Sequence, residues 1–236
     1  MTAPSGDRAH YLTTRDAFRE LALRRQGYYD APAGGPLRHS LWQRRIRRIV
    51  RSSLEGLLRS GPPIRTLVDV GCGRGDFVRE LHEACPGIPE LWGTDFSPEM
   101  LALALDHARN LPRLRFQTAD LLAMPFPAAH FDVTLCVNVL HHVHETDQEH
   151  ALAELGRITR RYLILEIKNA GNPYYRRIAW RDVPGVGRVD VCPTTVEQVG
   201  RALDRHGFGR RAVRGIFVSR WLSPLLVLVF ERSPGR

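Results

Sequence analysis

The run Thr66-Leu67-Val68-Asp69-Val70-Gly71-Cys72-Gly73-Arg74-Gly75-Asp76-Phe77 constrains the fold more than any other stretch of the chain. An apolar strand pattern passes straight into glycines at alternate positions and then into a helical pattern. Only glycine lets a backbone turn this tightly while a ligand lies against it, so the run predicts a strand, a ligand-facing loop and a helix in immediate succession. A glycine-rich loop alone is shared with nicotinamide and flavin enzymes, whose spacing is Gly-x-Gly-x-x-Gly; here the third glycine comes one residue early. Asp69 adds a preference. An acid beside such a loop repels a pyrophosphate, whereas a ligand carrying an ammonium group gains a partner.

Around this motif the apolar periodicity changes along the chain. Residues 1–16 read as a loose tail and 17–30 as a short helix ending near Tyr28. From Leu41 to Leu58 the positions Trp42, Ile46, Ile49, Val50, Leu54, Leu57 and Leu58 recur at helical spacing while arginines fill most of the other face. That amphipathic basic helix stops at Gly61-Pro62-Pro63. Beyond it, short apolar runs at 65–70, 91–95, 114–117, 131–137 and 161–167 alternate with helical stretches near 75–84, 98–109 and 146–157, which is the pattern of βαβ units on a parallel sheet. Ser97-Pro98-Glu99 reads as an N-cap, a first-turn proline and an acid at the positive helix end. Residues 168–193 mix glycines and prolines with Tyr174, Tyr175 and Trp180 and show no sustained period, as expected of a long aromatic loop. Thr194 with Glu197 is the expected capping box of a helix reaching about His206. Two last strands, near 210–219 and 225–231, are joined closely enough to be antiparallel. The expected domains are an N-terminal helical cover over 1–60 and a catalytic domain over 61–236 with a substrate-lid insert at about 168–193.

Two more acids end successive apolar runs. Asp95 follows Leu91-Trp92-Gly93-Thr94, where a carboxylate can accept both hydroxyls of a ribose; Asp120 follows Phe116-Gln117-Thr118-Ala119, where it can accept from an exocyclic amine. Taken singly, each acid also reads as a helix cap or a solvated loop residue. The fourth run, Phe131 to Val143, puts Asn138, His141 and His142 at the rim where open α/β sheets bind ligands.

Together these residues resemble the class I S-adenosylmethionine-dependent methyltransferases. The run Val68 to Gly75 looks like the first motif of that family, and Asp95, Asp120 and the Phe131–Val143 block resemble its later motifs in order and spacing. The phrases Asp95-Phe96-Ser97-Pro98-Glu99-Met100-Leu101 and Asn138-Val139-Leu140-His141-His142 are nearest to the branch of quinone-biosynthesis and small-molecule methyltransferases. The resemblance implies a Rossmann-like, doubly wound sheet of seven mostly parallel strands with an antiparallel last strand and helices on both faces. It implies S-adenosylmethionine as cofactor. Asp69, Gly71, Cys72 and Gly73 would surround its methionyl part, Asp95 its ribose, and Phe96 and Met100 its adenine. Asp120 and Leu121 would lie at the adenine amine and Asn138 at the methionyl group, with Tyr28 closing over the cofactor. His141 or His142 is the candidate general base for an acceptor that must lose a proton, against the alternative that these rings pack or cap the next helix.

Charge and cysteines narrow the remaining choices. The formal charge of +9 suggests nucleic acid, yet Lys168 is the only lysine, and such an arginine skew also follows from coding bias. Cys72, Cys85, Cys136 and Cys192 lack metal-ligand or disulfide spacing, so no zinc site is expected and a reducing, cytoplasmic setting is. Cys136 lies within a strand and Cys192-Pro193 inverts the order used by thiol methylases, which disfavours covalent catalysis. Asn172-Pro173-Tyr174-Tyr175 resembles an amino-methylating motif but follows the fifth strand instead of the fourth. The expected partner is a small aromatic, quinone-like, polyketide or lipid-like acceptor, with RNA as the rival and no membrane span.

Overall fold

The computed structural model describes residues 37–177, 180–183, 187–217 and 219–233. The first described element is a long helix, α1 (Leu37–Ser60), four residues longer at its start than its apolar pattern predicts. Ile46, Val50, Leu54 and Leu57 form its buried stripe. Gly61 N donates to Leu57 O (2.9 Å), and the two prolines that follow prevent another turn.

After α1 the chain alternates as β1 (Thr66–Val70), α2 (Asp76–Ala84), β2 (Glu90–Asp95), α3 (Pro98–His107), β3 (Leu114–Thr118) and β4 (Phe131–Cys136). It continues through a 3-10 turn (Leu140–His142) into α4 (Glu145–Ile158) and β5 (Thr159–Lys168). A short helix α5 (Pro173–Arg176) and strands β6 (Trp180–Val183) and β7 (Gly187–Asp190) come next, then α6 (Val196–Asp204), β8 (Phe208–Gly215) and β9 (Leu225–Arg232). The described residues form a seven-stranded sheet in the order β3-β2-β1-β4-β5-β9-β8. β1 to β5 pair in parallel, while β9 pairs antiparallel with both β5 and β8. The doubly wound sheet expected from the sequence is therefore the observed one.

Alternate residues of each central strand feed two separate cores. Leu67, Val133, Ile164 and Val227 pack with α1 and α2 on one face. Val68, Leu163, Leu165 and Leu228 pack with α4 and α6 on the other. Strands buried on both faces read as unbroken apolar runs, which is why β4 and β9 were legible as strands but their facing was not.

Three expectations need correction. The insert is not simply a loop: β6 and β7 pair antiparallel, Trp180 opposite Asp190, with Pro184-Gly185 between them in sequence. β8 ends at Gly215 instead of near 219, so the connection to β9 runs over 216–224 and is longer than expected. The α6 capping box uses Thr195 and Gln198 in place of Thr194 and Glu197. Thr194 is buried, and its backbone is already engaged, its N–H donating to Lys168 O and its carbonyl accepting from Ala170 N. Among the described residues, no helix is long and apolar enough to cross a membrane.

Candidate active site

The strand order reverses between β1 and β4, and in such sheets the crevice beyond the strand C-termini is where ligands bind. Here that crevice is floored by the glycine loop. Gly71 N and Cys72 N both donate to Thr94 O at the end of β2 (2.7 and 2.8 Å), and Gly73 N donates to an Asp95 carboxylate oxygen (2.8 Å). Gly71, Gly73 and Gly75 all adopt positive φ, of 73°, 54° and 79°. A Cβ on Gly71 would fall 2.3 Å from Val139 Cγ2. Gly75 stands as the N-cap of α2, and a Cβ there would crowd Phe116 and Ala104. The early third glycine thus serves close packing of the helix start.

The acids predicted from the sequence fall on adjacent strands. Asp69 is the penultimate residue of β1, Asp95 ends β2, and Asp120 lies just past β3. Asp69 is only 3% exposed, and burial pushes its carboxyl from 3.8 up to about 7, with the Arg47 guanidinium opposing the shift and the Asp95 charge adding to it. Burial raises Asp95 as well, against backbone N–H groups of Ser97, Gly73 and Phe96 that favour its charged form. Ser97 N donates to Asp95 Oδ1 (3.0 Å), and Leu122 N donates to Asp120 Oδ1 (2.9 Å). Both carboxylates therefore also shape their own turns, as the alternative reading held, while a carboxylate retains further lone pairs for a ligand. Met100 and Leu121 are buried, Phe96 half-buried. Met100 N donates to Ser97 Oγ (3.2 Å), so the expected N-cap forms.

At the exit of β4 the structure assembles a cluster that the sequence reading missed. Asn138 adopts φ 63°, a left-handed conformation that asparagine tolerates. Its N–H donates to Glu166 Oε2 (3.0 Å), and its side-chain oxygen accepts from Lys168 Nζ (3.0 Å) and Gln43 Nε2 (3.2 Å). Glu166 and Lys168 are themselves ion-paired at 3.0 Å and 1% and 2% exposed. Gln43 and Arg47 of α1, with Asp69, Gly71, Cys72 and Asn138, line a cleft of about 60 Å³. Arg47 also lies over the Phe77 ring, 5.6 Å from its centroid, so this arginine turns inward from the solvated face expected of α1.

His141 and His142 lie in the turn after β4 and are absent from that cleft lining. Their rings sit 4.0 Å apart, His141 buried and His142 half-buried. The end of the insert rests on this turn, Cys192 N donating to His141 O (2.9 Å). The helix-capping role considered for these histidines falls instead to His144, whose Nδ1 accepts from Thr146 N. Burial pushes the Cys72 and Cys136 thiols up, holding them neutral and unsuited to nucleophilic attack. Tyr28, like the rest of 1–36, lies outside the described residues.

This geometry has counterparts. Residues 67–161 match a family described as a methyltransferase domain. The demethylmenaquinone methyltransferase of Thermus thermophilus is 38% identical over 133 residues, 52% of this chain and 58% of that protein. The enzyme of the same name from Deinococcus radiodurans is 38% identical over 95 residues, 40% of this chain and 38% of its own. The chain thus spans less than two thirds of either relative. A crystal structure of magnesium protoporphyrin IX methyltransferase from Synechocystis PCC 6803 with bound SAM superposes with a TM-score of 0.71 over 98% of this chain and 100% of that one, at 19% identity, a likeness of fold. The strand order, the glycine loop and the domain match agree that residues 67–161 resemble a methyltransferase domain, with the sheet topology of the S-adenosylmethionine-binding structures.

Proposed function

We propose that the chain transfers the methyl group of S-adenosylmethionine to a small organic acceptor of aromatic, quinone-like, polyketide or lipid-like character. The observation that carries this reading is the burial of Asp69 beside Asp95 under a loop too tight for any side chain at Gly71. Two buried carboxylates this close are costly unless a cation or a set of donors meets them. A nucleoside amino acid supplies both, an ammonium for Asp69 and hydroxyls for Asp95. That two similar proteins are named demethylmenaquinone methyltransferases supports a small-molecule acceptor.

In this reading Asp69, Gly71, Cys72, Gly73 and Asn138 hold the methionyl part, Asp95 the ribose, Phe96 and Met100 the adenine, and Asp120 with Leu121 its amine. Tyr28 closes over them from outside the described residues. The cofactor supplies a methyl group already activated by its sulfonium, so the protein's task is alignment and exclusion of water. Gln43 and Arg47 cover the cleft from α1, and in this reading the insert over 168–193 is the lid on the acceptor side. His141 or His142 takes the proton of an acceptor that loses one.

Calorimetry with S-adenosylhomocysteine tests the cofactor assignment before any acceptor is known. Tight binding to the parent is expected, weakened by roughly 1.5 to 3 kcal/mol in Asp95→Ala through loss of charge-assisted hydrogen bonds. Equal binding by both proteins would refute it. The +9 charge keeps RNA as a second reading. Methylation of a tRNA pool with steep salt dependence would favour RNA, and salt-insensitive turnover of a phenol or quinone the small acceptor.

A further inference from the structure

Among the described residues, the large apolar side chains that are most exposed are not scattered. Leu41, Tyr174, Phe217, Trp221 and Leu222 lie on three segments, the start of α1, the helix α5 and the β8–β9 connection, with Leu105 the one elsewhere. These segments meet. The Trp42 ring contacts those of Tyr174 and Phe217 edge-on at 5.9 and 6.3 Å. Asn172 Nδ2 donates to Trp221 O (3.3 Å), and Asn169 Nδ2 to Ser223 O (3.1 Å).

The protrusion of Trp221, 75% exposed, and Leu222, 68% exposed, is built in. Behind them the fully buried Ser223 accepts from Phe217 N (3.0 Å) through its hydroxyl and donates it to Ser219 O (3.0 Å). The connection is therefore pinned, and its two bulkiest residues are held outward against the hydrophobic effect. A monomer gains nothing from a fixed apolar tip of this kind, so the patch marks a contact surface.

Its charge selects the partner. Residues 37–49, 169–177 and 216–224 contain no aspartate or glutamate, while Arg44, Arg45, Arg48, Arg176, Arg177 and Arg220 are all exposed on them. Arg220 stacks over the Trp221 ring, 5.5 Å from its centroid. Aromatic and aliphatic tips on segments that expose arginines and carry no acid suit the boundary between anionic headgroups and acyl chains. Single-stranded nucleic acid would use the arginines and rings, but has no use for projecting leucines.

We infer that this face is a docking surface for an anionic lipid bilayer, with Trp221 and Leu222 inserting and the arginines engaging headgroups. The surface adjoins the cleft. Gln43, next to Trp42, lines it, and Lys168, one residue before Asn169, anchors Asn138 at its edge. An apolar acceptor could pass from the bilayer into the site without crossing water; this use rests on the proposed function, whereas the docking surface does not.

Flotation of the full chain with phosphatidylcholine vesicles, with and without phosphatidylglycerol, tests the inference alongside a Trp221→Ser/Leu222→Ser variant. The parent is expected to float with the anionic vesicles only, less so as salt rises, and the variant to bind about tenfold more weakly or worse. The variant should keep its melting temperature and its affinity for S-adenosylhomocysteine. No flotation of the parent, or equal flotation of the variant, would overturn the proposal. So would tRNA binding that the same double substitution abolishes while vesicles are ignored. If vesicles bind but S-adenosylhomocysteine does not, the functional reading fails and the surface stands.

Discussion

With its carboxyl raised to about 7, Asp69 is neutral below pH 3.8 in both the folded and the unfolded chain. Between those values the unfolded chain ionises and the folded one resists, so the native state progressively loses stability, and the loss is complete above 7. Asp69→Asn should therefore melt higher than the parent at pH 8, by the equivalent of about 4 kcal/mol at most, with the difference vanishing toward pH 4 in thermal scans. A ligand ammonium reverses the balance, so in the proposed function binding expels a proton and tightens as pH rises toward 7. Glu166 and Lys168 behave differently, because each is buried against the other. Lys168→Met should cost about 3 kcal/mol or more in chemical denaturation, and the Glu166→Gln/Lys168→Met double variant clearly less, since removing one partner strands the other charge. The signal for this pair was present in the sequence: opposite charges two residues apart at the end of an apolar strand share one face. It went unread because the apolar run ends at Ile167, which left Lys168 to the insert although β5 continues through it.

The elements most legible in sequence were those whose periodicity is local. β1 to β5, α3 with its Ser97 cap and the stripe of α1 all follow from apolar spacing and helix-end chemistry. What escaped depended on tertiary partners. Arg47 was assigned to a solvated face because nothing in α1 alone reveals Phe77 and Asp69 nearby. The cap of α6 shows the same limit. Thr194 and Thr195 stand at the same spacing from Glu197 and Gln198, and the choice is made by Thr194 pairing with Lys168 and Ala170. Thr195→Ala should lower stability by about 1 kcal/mol, and Glu197→Ala by less than about 0.5 kcal/mol, in parallel denaturant titrations.

On the scale of the whole molecule, the reversal of strand order between β1 and β4 is what turns separate motifs into a site. It lays Asp120, Asp95, Asp69 and Asn138 at the C-terminal ends of four neighbouring strands, although they are spread over 70 positions of sequence. Their order was legible; their convergence with Gln43, Glu166 and Lys168 required the folded sheet. The same fold rests the end of the insert on the histidine turn, where the proposed function puts the acceptor. A crystal structure grown with S-adenosylhomocysteine tests the central claim most directly. The account predicts the ligand's amino group at Asp69 and its ribose hydroxyls on Asp95, with the adenine between Met100 and Leu121. The nucleoside bound elsewhere, with these carboxylates facing no part of it, would contradict the account.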